Sequence, residues 1–179
     1  MGMANLRAGP DAGDDAATGV SGLFRARYPE MVRLADLLGA DDPEDIAQEA
    51  FARLLRSYGS LRDADAALAC VRATVCNLTR NRRRHLRVIR LRTPAEHPAD
   101  VASSEQAVLL REEQREVLAA LAALPPRRRE AIVLRYWLGL SVEEIAVAMG
   151  ISAGTVKSQV SRGLSVLGTA LEKTLEEGR

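Results

Sequence analysis

Aromatic side chains are scarce in this chain. One Trp, three Tyr and two Phe make up 3% of its 179 residues. A core must therefore be aliphatic, and the 47% of hydrophobic residues supply enough material for one or two small domains. Cysteine is equally sparse. Cys70 and Cys76 stand six apart on an expected helix, about 9 Å along its axis and on different faces, which rules out a bridge within that helix. They read as buried thiols. The two histidines, His85 and His97, fall in a basic run and in a proline-containing segment. No ligand-spaced His/Cys cluster, nucleophile–base pair or glycine-rich phosphate loop accompanies them, so the expectation is no catalytic residue, no metal and no cofactor. No apolar run reaches membrane-spanning length, and the start lacks the charged and apolar blocks of a signal peptide, which points to the cytoplasm. Alternating strand patterns and internal repeats are missing too, and this makes an all-α fold the expectation.

Lysine is nearly absent, with Lys157 and Lys173 alone, so the positive charge is carried by arginine. The formal net charge of +1 hides a strong segregation. Asp36, Asp41, Asp42, Glu44, Asp45 and Glu49 form a stretch with acids and no base. Arg80, Arg82, Arg83, Arg84, Arg87, Arg90 and Arg92 form one with bases and no acid. Such asymmetry implies two different partners, one of them a polyanion.

Residues 1–20, rich in Ala, Gly and Asp without an apolar period, read as a disordered tail. A helix is expected from Ser21, with Phe24, Tyr28, Ala35 and Leu38 on one face, Pro29 kinking or dividing it and Gly39 ending it. The next has a clear start: Asp42 as cap, Pro43 in the first position, then Glu44 and Asp45 at the positive end of the dipole. Ile46, Ala50, Leu54 and Tyr58 mark its buried side, and Asp45, Gln48, Glu49 and Ala52 share an exposed one. Asp63 to about Arg87 reads as one long helix, with Leu68, Val71, Val75 and Leu78 as a narrow apolar stripe. Arg72, Asn77, Arg80, Asn81, Arg83 and Arg84 lie off that stripe and suit nucleic acid, phosphates giving affinity and bases selectivity. A solvated charged face is the plainer reading of both the acidic and the basic stretch.

Residues 93–104, with Pro94 and Pro98 and no apolar period, read as a flexible linker between two small helical domains, 21–92 and 105–173. Beyond it a helix with Leu110, Gln114, Val117, Leu121 and Leu124 inward should end at Pro125–Pro126. Another follows, burying Ile132, Val133 and Tyr136 and stopping at Gly139.

The stretch Ser141 to Leu167 organises the rest. Ser141 and Glu144 have the spacing of a capping box, Ile145, Ala146 and Met149 share a face, and Gly150 supplies a turn. Ile151 plugs that turn and Ser152 can cap a second helix, sealed by Val156, Val160, Leu164 and Leu167. Thr155, Lys157, Ser158, Gln159, Ser161 and Arg162 then point outward or flank that face. This is a helix-turn-helix whose polar, cationic second helix suits a major groove; a plain helical hairpin is the alternative.

With both halves read, the chain resembles the sigma-70 family, specifically the small extracytoplasmic-function RNA polymerase sigma factors with domains two and four alone. The resemblance runs from about Leu23 to Leu171. LPPRRREAIVLRYWLGLSVEEIAVAMGISAGTVKSQVSRGLSVL resembles region 4, DPEDIAQEAFARLLR resembles region 2.2, and ACVRATVCNLTRNRRRH resembles regions 2.3 and 2.4. It implies core RNA polymerase and promoter DNA as partners and allows an anti-sigma factor. It assigns Asp45, Gln48 and Glu49 to core polymerase binding. Capture of the melted −10 strand falls to Arg72, Asn77, Arg80, Asn81, Arg83 and Arg84. Reading of the −35 duplex falls to Thr155, Lys157, Ser158, Gln159, Ser161 and Arg162. Two departures stand out: Ala69–Cys70 replaces the Trp or Tyr of many relatives, and Gln159 stands where relatives often have a base. The competing reading is a dimeric helix-turn-helix operator-binding regulator, with Glu105 to Leu124 as its dimerisation helix. It leaves the acidic stripe and the arginine run unexplained.

Overall fold

The computed structural model describes residues 11–57, 64–92 and 112–177. Every element among the described residues is helical: α1 (Asp11–Leu38), α2 (Pro43–Ser57), α3 (Ala64–Arg92), α4 (Glu112–Ala123), α5 (Pro126–Ile132) running into a π-helical turn (Val133–Trp137), α6 (Val142–Met149) and α7 (Ala153–Glu177). The segment expected as a linker, 93–104, and Tyr58 lie outside the described residues.

α1 begins at Asp11, ten residues before the expected Ser21, so the part of the expected tail from Asp11 to Val20 is helical. Ala12, Ala16 and Ala17 favour helix without any apolar period, which periodicity alone does not register. The helix also continues through Pro29 rather than dividing there. Packing of α1 on both α2 and α3 holds it together across the missing N–H. Its end is as expected. Gly39 takes φ +82°, its N–H reaches Asp36 O at 2.8 Å and that of Ala40 reaches Ala35 O at 3.0 Å, a Schellman closure.

α2 starts as its sequence directs, with Asp42 Oδ1 accepting from the Asp45 N–H at 2.9 Å. Its Ile46, Ala47, Ala50, Phe51 and Leu54 are buried against α1 and α3. Each large apolar side chain so buried contributes about 1.5–3 kcal/mol. Three of the few aromatics gather here: Phe24 stacks on Tyr28 at 4.6 Å between centroids and meets Phe51 edge-on at 5.0 Å. α3 buries Leu68, Val71 and Val75 as expected, and Leu78 packs against the same cluster.

In the C-terminal half α5 and α4 pack on α7, and α6 lies between α7 and α3. Leu121, Leu124, Ile132 and Val133 are buried as expected. Three expected inward residues are not. Val117 is 48% exposed while Leu118 packs on the core, Leu164 is exposed, and Tyr136 is 60% exposed. The Tyr136 difference has a local cause. The Leu138 N–H bonds back five residues to Val133 O at 3.2 Å, and this wider turn swings Tyr136 outward while Leu134 becomes fully buried. Gly139, at φ +67°, ends the segment. The buried side chains of both halves form one continuous cluster, because α3 meets α6 and α1 touches α5.

Candidate nucleic-acid interface

The helix-turn-helix is built by its caps. Ser141 Oγ accepts from the Glu144 N–H at 3.2 Å while Glu144 Oε2 accepts from the Ser141 N–H at 2.8 Å. The Ser141 backbone N–H first, and the Ser141 hydroxyl second, lower the pKa of the Glu144 carboxyl. Gly150 takes φ +64° and Ile151 N–H reaches Ala146 O at 3.1 Å, so the turn closes in the same manner as at Gly39. Ser152 Oγ accepts from the Thr155 N–H at 3.2 Å and starts α7. Ile145, Met149 and Val156 are fully buried, and Val160 and Leu167 pack on the core.

α7 thereby presents Thr155, Lys157, Ser161 and Arg162 exposed, with Ser158 and Gln159 half-buried. Ser152 and Thr155 hydroxyls share a hydrogen bond at 2.8 Å. Among the described residues neither Lys157 nor Arg162 has an ion-pair partner, so both charges face outward unspent. Lys157, Val160 and Ser161 border an open groove of about 440 Å³ that Arg135 and Tyr136 also line. Sequence reasoning missed Gly163, the residue that seats this helix. A Cβ there would stand 2.9 Å from Ile132 Cγ1, so the close approach of α7 to α5 requires glycine. A glycine inside an apolar helical pattern was the available signal.

The six residues singled out on α3 do not form one open surface. Asn77, Asn81 and Arg84 are exposed. Arg72 Nη2 pairs with Glu30 Oε1 on α1 at 3.0 Å, and Arg83 Nη1 donates to Leu38 O at 2.7 Å. Arg80 donates from Nη1 to Asn77 Oδ1 at 2.8 Å and pairs through Nη2 with Glu130 Oε1 on α5 at 2.7 Å. Burial lowers the pKa of Arg83. Cys76 is buried beside this pair, and burial first, then Glu130, pushes its thiol pKa up. Cys70 is half-buried rather than buried.

On α2, Gln48 is exposed and its Nε2 donates to Tyr28 Oη at 3.4 Å. Glu49 accepts from Arg53 at 2.7 Å and Arg56 at 3.2 Å, and the Arg53 bond is the main cause of its lowered pKa. Asp45 pairs with Arg82 at 2.6 Å, and Arg82 also bonds Asp41 at 2.9 Å. The acidic and basic stretches therefore meet inside one molecule at Arg82. Among the described residues no group of His, Cys, Asp and Glu could hold a metal, and no helix is long and apolar enough to cross a membrane.

Residues 114–167, which contain this helix-turn-helix, match the model of Sigma-70, region 4. The chain is 33% identical over 147 residues to the RNA polymerase sigma-E factor of Streptomyces coelicolor, covering 80% of each. It is 30% identical over 161 residues to the ECF RNA polymerase sigma-E factor of Haemophilus influenzae, covering 81% of this chain and 84% of that one. The fold is similar to that of the sigma factor RpoE from Bartonella quintana, solved in complex with the anti-sigma factor NepR. The TM-score is 0.67 at 24% identity, over 83% of this chain and 94% of that one.

Proposed function

The chain belongs to the extracytoplasmic-function group of the sigma-70 family of RNA polymerase sigma factors, and from that premise we propose which surfaces carry its work. The observation that carries the reading is the outward face of α7: a doubly capped helix-turn-helix presents Thr155, Lys157, Ser158, Gln159, Ser161 and Arg162, its cations unpaired among the described residues. This face reads the −35 duplex from the major groove. Asn77, Arg80, Asn81, Arg83, Arg84 and Arg72 on α3 capture the melted −10 strand. Asp45, Gln48 and Glu49 on α2 dock on core polymerase. Residues 21–92 and 105–173 act as two domains, and 93–104 tethers them, so that each contact raises the effective concentration for the other. The protein is no enzyme in this scheme: phosphodiester formation belongs to the polymerase, and the work is done in the cytoplasm. An anti-sigma protein is a further candidate partner, since the fold neighbour from Bartonella quintana was solved with one.

The test compares two templates, a duplex promoter with its −35 element and a pre-melted template carrying the −10 region alone. A base-reading arginine contributes about 1–3 kcal/mol of discrimination. Arg162→Ala should therefore reduce initiation by reconstituted polymerase on the first template and spare the second. Arg80→Ala with Arg83→Ala should impair both. Equal loss on both templates by Arg162→Ala, or an unimpaired pre-melted template with Arg80→Ala and Arg83→Ala, would sink the division of labour between α7 and α3.

A further inference from the structure

We propose that the crevice between α3 and α6 is a binding site for a small planar aromatic amine, its ring against the Arg72 guanidinium and its ammonium at Glu143. Such a ligand is neither polymerase nor promoter, and its binding does not depend on how α3 and α7 divide their work.

The crevice holds about 270 Å³. Ala69 and Arg72 of α3 form one wall, and Leu140, Val147 and Ala148 form the other. Leu140 and Ala148 are buried and make an apolar floor. Ala69 and Val147 are exposed and leave the mouth open. Val147 is 72% exposed, so its side chain offers apolar surface that its own chain leaves uncovered. The space is too narrow for a docked helix, which is about 10 Å across with its side chains. It suits a molecule of one or two rings, held by apolar walls and a few polar groups.

Charge chooses among such molecules. Arg72 Nη2 is pinned by Glu30 Oε1 at 3.0 Å, and its side chain is 16% exposed. Its Nε is buried without a hydrogen-bond partner. The guanidinium is therefore a fixed and largely dry plane, and a desolvated cation attracts an aromatic face more strongly than a hydrated one. Two carboxylates also line the crevice, and they differ. Glu144 is committed to the Ser141 N–H in the capping box. Glu143 is exposed and has no ion-pair or hydrogen-bond partner among the described residues. The charge still available at the mouth is negative, which favours an ammonium and rejects a carboxylate.

An occupant touches α3 and α6, the first helix of the helix-turn-helix, at the same time. The site therefore gives a small molecule a direct hold on both DNA-facing halves, and its binding adds to the stability of the folded chain by mass action.

Tryptamine is the probe, titrated into the full-length free chain. Ligand-observed NMR should show saturable binding, and Tm should rise with tryptamine concentration. Indole-3-acetate carries the same ring with the opposite charge and should bind about tenfold more weakly or not at all. Cyclohexylethylamine keeps the ammonium without the π face and should also bind more weakly. Ala69→Phe fills the crevice from α3 and should abolish tryptamine binding. Glu143→Gln removes the charge at the mouth and should weaken tryptamine about threefold while leaving indole-3-acetate no worse. Both positions are exposed, and circular dichroism checks folding; if Ala69→Phe does not fold, Glu143→Gln decides. No saturable binding, equal binding of the acid and the amine, or tryptamine binding that survives Ala69→Phe or ignores Glu143→Gln overturns the site. So does a dimer seen by light scattering and lost in Ala69→Phe, because the crevice then belongs to a second copy of the chain.

Discussion

The two cationic helices α3 and α7 invite comparison because the sequence pattern of each suits DNA. α3 is far richer in arginine, yet Arg72, Arg80, Arg82 and Arg83 are all engaged by oxygens of the same chain. α7 has only Lys157 and Arg162 on its outward face, and both are unpaired among the described residues. The difference lies in the neighbours. α3 runs past Glu30, Asp41, Asp45, Glu130 and the carbonyl end of α1. The outward face of α7 meets no carboxylate among the described residues. Arginine number thus measures the capacity of a surface for polyanions, and its packing decides whether that capacity is available.

The comparison can be broken from the α7 side most forcefully. Gly163→Val forces a side chain into Ile132 and should cost about 1–3 kcal/mol by overpacking. Denaturant unfolding would show it, and −35-dependent initiation should fall with it while α3 keeps its contacts. An unchanged midpoint would mean that α5 gives way, and that the α7 seat is less rigid than its close approach implies.

A milder break is Ser141→Ala, which removes one half of the capping box and should cost about 1 kcal/mol. Glu144 supplies the other half and adds a pH signature. Its folded pKa lies below its unfolded value, so its contribution is present above the usual carboxylate value and is lost as pH falls through the folded one. Glu144→Gln should lower Tm at neutral pH, and the gap to the unmodified chain should close as the pH falls below the usual carboxylate value. Because the carboxyl is exposed, the gap is small. A gap that widened on acidification would contradict this origin.

The smallest effect sharpens the α3 side. Arg82 bridges Asp41 and Asp45 in an exposed position, and pairs of this kind contribute about 0–1 kcal/mol. Arg82→Ala should shift Tm by only a degree or two, and less in high salt. A larger loss would place Arg82 among the contacts that hold α3 in position, beside Arg80 and Arg83.

Local chemistry made much of this protein legible in the chain itself. Asp42–Pro43, Ser141 with Glu144, Gly150 and Ser152 set helix ends because a cap depends on residues within one turn of it. Apolar spacing identified the buried faces of α2 and α3, since a helix repeats its face every three or four residues. The outward polar face of α7 followed from the same rule. Tertiary structure decided the rest. The seat that demands Gly163 and the uninterrupted course of α1 through Pro29 each depend on partners distant in sequence. So does the fate of the arginines on α3. Their charge is written in the chain, but Glu30 and Glu130 are 42 and 50 residues from the arginines they hold. Periodicity carries no information about pairings at that range, which only the packing of one helix on another creates.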